Sequence, residues 1–259
     1  MRISWGGEAP RTSRTDGGFW KGGRAPPCTS VAIEVRSLTV TYRQGQPGAV
    51  RALDGLALSV QPGEFVSVLG RGGSGKTTLV HTLGLLARPT SGQVLIDGID
   101  TTALTDGQRA DFRGRRIGFV LQDHGLVPTL SAIENVMLPL RYSRIGKGAR
   151  KRAMDLLDLV DLGARAHDRP DQLTGGQAQR VAIARALVKA PTLVLADEPT
   201  GEVDAETSDE LLYLMQQLNR MSGVTIIVAT HDSDVASCMD RRVRLRDGRV
   251  ISDDRLLPR

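Results

Sequence analysis

The run Gly70-Arg71-Gly72-Gly73-Ser74-Gly75-Lys76-Thr77-Thr78 is where residue type and spacing first dictate a chemistry. Gly70, Gly75, Lys76 and Thr77 occupy the fixed positions of G-x-x-x-x-G-K-[ST]. Small residues let a backbone wrap closely around a phosphate with its N–H groups turned inward. A helix starting there adds the positive end of its dipole. Lys76 offers a compact cation to the β- and γ-phosphates, and the Thr77 hydroxyl is a hard oxygen ligand for Mg²⁺. The plainer reading is a glycine-rich turn with a chance Lys-Thr. The order of apolar strand, loop and helical spacing argues against it. The run implies a nucleoside triphosphate site and leaves open which machine uses it.

Further polar residues fall where such a site needs them. Asp197-Glu198 closes the apolar run Thr192–Ala196, which suits Asp197 to hold Mg²⁺. Side chains alternate along a strand, so Glu198 is expected to face away from Asp197. It then serves as general base toward an attacking water, the plainer alternative being a buried structural acid. Gln122 follows Ile117–Leu121, and His231 follows Val224–Thr230. Alone, the first reads as a loop residue and the second as a helix cap. Together with the phosphate loop they share the carboxyl ends of strands, where open α/β sheets bind ligands. Tyr42 ends an upstream strand, where an aromatic either stacks on a base or packs on the sheet.

The elements that must position these residues are legible in the apolar pattern. Ile33–Tyr42, Leu53–Val60, Phe65–Leu69, Ser91–Ile99, Ile117–Leu121, Thr192–Ala196 and Val224–Thr230 read as strands, and Arg242–Ser252 as a closing hairpin. Leu79, Val80, Leu83 and Leu86 have helical spacing after the phosphate loop. Thr105–Arg115, Ser131–Leu140, Ala149–Leu162 and Ala205–Met221 read as helices, as does the stretch holding Val181, Ile183, Ala184 and Leu187. Strands alternating with helices imply a mainly parallel sheet core, with an antiparallel β flank from Ile33–Val60 and 91–99. Residues 123–172 lack a strand pattern and read as a helical subdomain inserted in one α/β domain over 31–259.

Composition narrows the function classes. At 259 residues and 40% hydrophobic, the chain has the make-up of a soluble globular protein with a full core. No apolar run approaches the ~18 residues of a membrane span, so no direct span is expected. The net charge is +5, but the first 30 residues hold Arg2, Arg11, Arg14, Lys21 and Arg24 against Glu8 and Asp16. Nucleic acid is therefore not expected as a partner, because most of the charge sits in that stretch. Residues 1–30 read as a disordered tail, with Trp5 and Trp20 as weak membrane anchors at most, and a chain starting near Val31 is expected to fold and work. Cys28 and Cys238 are too few for a disulfide scaffold or zinc site. An Asn-Lys-x-Asp guanine-reading motif is missing from the sequence.

Leu173-Thr174-Gly175-Gly176-Gln177 is the most discriminating stretch. Read alone, it is a Gly-Gly turn opening a helix, a second anion site like the first. It resembles LSGGQ, the signature of the ATP-binding-cassette (ABC) ATPases, and the resemblance spans about residues 31–252. It implies an α/β P-loop NTPase fold of the ABC type, ATP and Mg²⁺ as ligands, and ATP hydrolysis. It also implies a head-to-tail homodimer, each ATP lying between one phosphate loop and Thr174–Gln177 of the other copy. On this resemblance Tyr42 is the adenine-stacking aromatic, and Gln122 contacts Mg²⁺ and the transport partner. Asp204 is the aspartate of the adjoining dimer loop. His231 sits at the γ-phosphate, acting with Glu198 and Lys76 in catalysis.

Leu53-Asp-Gly55, Gly118–Gln122, Leu126-Val-Pro-Thr129, Glu134–Pro139 and Glu198-Pro-Thr-Gly201 look like the macrolide-export and lipoprotein-release branch. The implied partner is a separate integral-membrane permease, met by Leu126, Val127, Pro128 and Leu130 unless these pack on the helical subdomain. The implied location is the cytoplasmic face of the cell membrane. The alternative is coupling to a membrane protein for mechanical signalling or cell division. Soluble family members in translation or DNA repair usually carry tandem cassettes or coiled-coil insertions, and neither is present. Departures from the branch are Arg71-Gly72 for Pro-Ser, His124-Gly125 for an aromatic and Asn, and Glu202-Val203 for Asn-Leu.

Overall fold

The structure, a computed structural model, describes residues 32–142 and 148–256; the expected tail over 1–30 lies outside the described residues. In chain order come β1 (Ile33–Tyr42), β2 (Val50–Val60), β3 (Phe65–Leu69), α1 (Lys76–Leu83), β4 (Ser91–Ile96), β5 (Ile99–Asp100), α2 (Asp106–Arg116) and β6 (Ile117–Val120). A helical block follows, with α3 (Ala132–Met137), α4 (Ala149–Leu159) and single 3₁₀ turns at Leu138–Tyr142, Gly163–Arg165 and Pro170–Gln172. Then come α5 (Gly175–Leu187), β7 (Leu193–Asp197), α6 (Ala205–Ser222), β8 (Thr225–Thr230), α7 (Ser233–Ser237), β9 (Arg241–Arg246) and β10 (Arg249–Arg255).

The central sheet has the order β10-β9-β3-β8-β7-β6, parallel throughout except for the β10 edge. Period-2 alternation decides how it is covered. Val194, Ala196, Ile226 and Val228 face one core shared with α5, α6 and the helical block. Leu193, Leu195, Ile227 and Ala229 face a second core shared with α1 and the antiparallel sheet. Both faces are buried, so β7 and β8 are almost wholly apolar, as sandwiched parallel strands must be. The antiparallel flank has the order β2-β1-β4-β5.

Local differences from the expected elements have local causes. Leu86 is exposed and lies beyond α1, because Gly84 closes the helix and Leu85 turns the chain back at φ 58°. The helix expected over Ser131–Leu140 tightens into a 3₁₀ turn around Pro139, which cannot donate to the α ladder. The helix expected to reach Leu162 stops at Leu159, and Asp161 adopts φ 61°. The short helix α7 had no apolar period to announce it; Asp232 caps it by accepting from the Asp234 and Val235 N–H groups.

Candidate functional site

The phosphate-loop residues Gly70–Gly75 link β3 to α1, and the fold fixes their shape from behind. The Gly70 N–H donates to Thr230 O at 3.2 Å, and the Gly248 N–H of the closing hairpin donates to Ser74 O at 3.0 Å. Gly75 has φ 102°, and a Cβ there would stand 2.5 Å from Ala52 O, so only glycine fits. Lys76, the first residue of α1, is buried, and its Nζ donates to the carbonyls of Gly70 at 2.7 Å and Arg71 at 3.3 Å. A cavity of about 630 Å³ is lined by Gly72–Thr78 together with Tyr42, Val50, Ala52 and Glu198. Tyr42 is 44% exposed on its wall, and its hydroxyl meets Thr78 Oγ1 at 3.3 Å. The fold thus brings Tyr42, from the antiparallel sheet, to the loop that follows β3.

Asp197 and Glu198 diverge, but not through strand alternation. β7 ends at Asp197, and Glu198 takes a left-handed conformation at φ 47°, leaving the strand. The Asp197 carboxylate shares a cavity with the Thr77 hydroxyl. Burial pushes its pKa up, opposed by the nearby Thr77 hydroxyl and with the Glu198 charge adding to the rise. Its Oδ1 is buried without a partner. Thr77, Gln122, Asp197 and Glu198 share a cavity of about 290 Å³. An orphaned carboxylate oxygen, a hydroxyl and an amide oxygen are the hard donors that Mg²⁺ takes, so these residues fit that ion.

Glu198 is held by three groups. Thr230 Oγ1 donates to its Oε2 at 3.1 Å, His231 Nδ1 lies 2.8 Å from Oε1, and Lys76 Nζ lies 3.9 Å from Oε1. His231 is two-thirds exposed, at 66%, and lines a second cavity with Gly70–Ser74. The helix cap at this strand end is Asp232, not His231. Thr230 went unnoticed in the sequence. Its signal was a hydroxyl as the last residue of an apolar strand that points at the site.

Thr174–Gln177 lies elsewhere. Thr174 caps α5, its Oγ1 accepting from Gln177 N at 3.3 Å while Gln177 Oε1 accepts from Thr174 N at 3.0 Å. That is a capping box, legible in Thr-x-x-Gln. A Cβ on Gly176 would stand 2.5 Å from Thr207 Cγ2 of α6, so the two helix starts are in close contact. Asp204 begins α6 and gives both carboxylate oxygens to Thr207, at 2.9 Å each. Neither Thr174–Gln177 nor Asp204 lines the cavities around the phosphate loop of the same chain. Two other residues tie this region to the catalytic strands. Buried Gln179 donates to Leu121 O at 3.2 Å and Pro199 O at 2.6 Å, and His124 Nε2 lies 2.9 Å from Gly175 O. Gln179 could have been found as a polar residue on the buried face of α5.

A phosphate loop on β3–α1, an acidic pair ending β7 and an LTGGQ helix start together define an ABC ATPase cassette. The ABC transporter family profile matches residues 53–201, and the chain belongs to that family. It is 52% identical to the macrolide export ATP-binding/permease protein MacB of Syntrophobacter fumaroxidans, over 83% of this chain and 30% of that protein. It is 47% identical to the lipoprotein-releasing system ATP-binding protein LolD of Anaeromyxobacter dehalogenans, over 88% of this chain and 96% of that one. The chain thus spans under a third of the MacB relative and nearly all of the LolD relative. Among solved structures it resembles the dimeric, post-hydrolysis ATP-binding cassette MJ0796 bound to ADP and Pi, at TM-score 0.80 and 40% identity, covering 88% of this chain and all of that one.

Proposed function

We propose that this chain is the Mg²⁺-dependent ATP-hydrolysing subunit of a transporter, driving a separate membrane permease of the export or lipoprotein-release kind. The observation that carries it is the joint placement of Thr77, Asp197 and Glu198 around one cavity beside the phosphate loop. Lys76 and the N–H groups of 70–78 hold the β- and γ-phosphates of ATP. Thr77, Asp197 and Gln122 hold Mg²⁺, which when bound offsets charge on the phosphate oxygens. Glu198, oriented by Thr230 and His231, accepts a proton from the attacking water. Tyr42 stacks on the adenine.

Two copies pair head to tail, because Thr174–Gln177 opens α5 away from the phosphate loop of its own chain. No helix among the described residues is long and apolar enough to cross a membrane. The permease supplies the spans, and the subunit works on the cytoplasmic face. A phosphate-release assay tests the chemistry. Glu198→Gln keeps shape and metal donors but loses the base, and should slow hydrolysis ~10²–10⁴-fold while ATP still binds. EDTA should stop the wild type. Full activity in Glu198→Gln would remove the assignment. Co-purification from native membranes should recover an integral-membrane partner; recovery of none contradicts the transport reading.

A further inference from the structure

The closing hairpin divides its arginines into two groups. Arg241, Arg242, Arg249 and Arg255 each pair with a carboxylate of the chain. Arg244 and Arg246 are exposed and pair with none among the described residues. Arg71, in the phosphate loop, is likewise exposed and unpaired. These three arginines line one cavity of about 850 Å³ with His231, and Asp247 is the only acid on its wall. An unpaired guanidinium holds five donors and a fixed charge in search of a carboxylate or phosphate.

The matching charge lies at the entry to α6. Glu202 and Glu206 are exposed and make no ion pair among the described residues. Glu202 also shares its own cavity with Asp123, Asp197 and Glu198, so it crowds like charges beside the metal donors. A cationic contact outside the chain relieves that crowding. Position supplies the link. Glu202 O lies 3.7 Å from the Cβ position of Gly175, so Glu202 travels with the LTGGQ turn. In the head-to-tail pairing above, that turn covers the phosphate loop of the other copy, the loop that carries Arg71, and Glu202 travels with it.

We propose that the arginine-lined cavity receives the acidic turn Glu202–Glu206 of a second copy of this chain, with Arg71 facing Glu202. The proposal rests on the head-to-tail pairing above. A two-fold axis makes the contact twice, so each charge pair counts double in the assembly. The pair adds register and association rate to an interface already bridged by nucleotide.

A charge reversal tests it, in the Glu198→Gln parent with MgATP, read by light scattering after size exclusion. Arg71→Glu and Glu202→Arg should each weaken ATP-driven dimerisation ~10-fold or more, on the scale of close interfacial charge pairs. The double variant Arg71→Glu with Glu202→Arg should return to within ~3-fold of the parent, since both contacts become attractive again. Arg71→Ala and Glu202→Ala should be non-additive in the same assay. Fluorescent-nucleotide binding to the dilute monomer separates a second explanation. Loss of nucleotide affinity in Arg71→Ala equal to its loss of dimer would assign the cavity to a small anion and overturn the proposal. So would additive alanine effects, or a double reversal no better than the worse single variant. A parent that stays monomeric with MgATP contradicts the head-to-tail pairing itself, and this pairing of charges with it.

Discussion

Around the acid after β7, one residue's backbone decides where a carboxylate points. Glu198 at φ 47° turns its carboxylate off the strand, toward Thr230 and His231, while Asp197 stays on the strand and lines a cavity with Thr77. A non-glycine residue in the left-handed region is strained, and such strain gathers where a side chain must be aimed. Thr230→Val should therefore lower the turnover number several-fold, with little change in KM for ATP, if the hydroxyl serves the proposed base by aiming it rather than by binding nucleotide. Thr230→Ser should recover most of the rate, and an unchanged Thr230→Val would show that His231 alone aims Glu198. The acids themselves were legible in the sequence, since Asp-Glu after an apolar run has few other meanings. The aiming was not, because a positive φ at a glutamate leaves no mark in composition or period.

Elements were legible where both sheet faces are covered. β7 and β8 are continuous apolar runs, and α6 carries Leu211, Met215 and Leu218 on one face. What stayed hidden was short or polar: α7, and the 3₁₀ turn at Leu138–Tyr142. Also hidden was the junction just past α5, where the chain reaches back to α2. There Lys189 Nζ donates to Arg113 O at 3.0 Å, and burial, with Arg113 adding, pulls its pKa from the ordinary 10.5 down to about 8. Between those values the unfolded chain binds more protons than the folded one, so this group's contribution rises with pH from about 8 to 10.5. Below about 8 the cost of burying the charge is present in full. Lys189→Met should raise the stability by about 1–3 kcal/mol at pH 7. The gain should fade by about pH 10, as thermal midpoints across pH will show; a constant gain would mean packing, not charge, is responsible.

At the scale of the molecule, the chain presents its phosphate loop and its LTGGQ turn as separate surfaces, which a second copy would join. The loop after Gln122 is where the sequence leads one to expect the permease. Leu126 proves to pack against the core below the helical block, whereas Pro128 is exposed and Val127 and Leu130 are half-buried. Leu130→Glu should abolish permease stimulation of hydrolysis while basal hydrolysis persists, and Leu126→Glu should lower the thermal midpoint instead. Undiminished stimulation in Leu130→Glu would move the permease contact elsewhere. The central claim is that MgATP is hydrolysed between two copies. Light scattering on Glu198→Gln after size exclusion tests it most directly, with the mass of the 27.9 kDa chain as reference. The mass should be about double with MgATP and single with MgADP, and single throughout when Lys76→Ala is added. A Glu198→Gln chain that keeps the monomer mass with MgATP bound, or that doubles equally with MgADP, contradicts it.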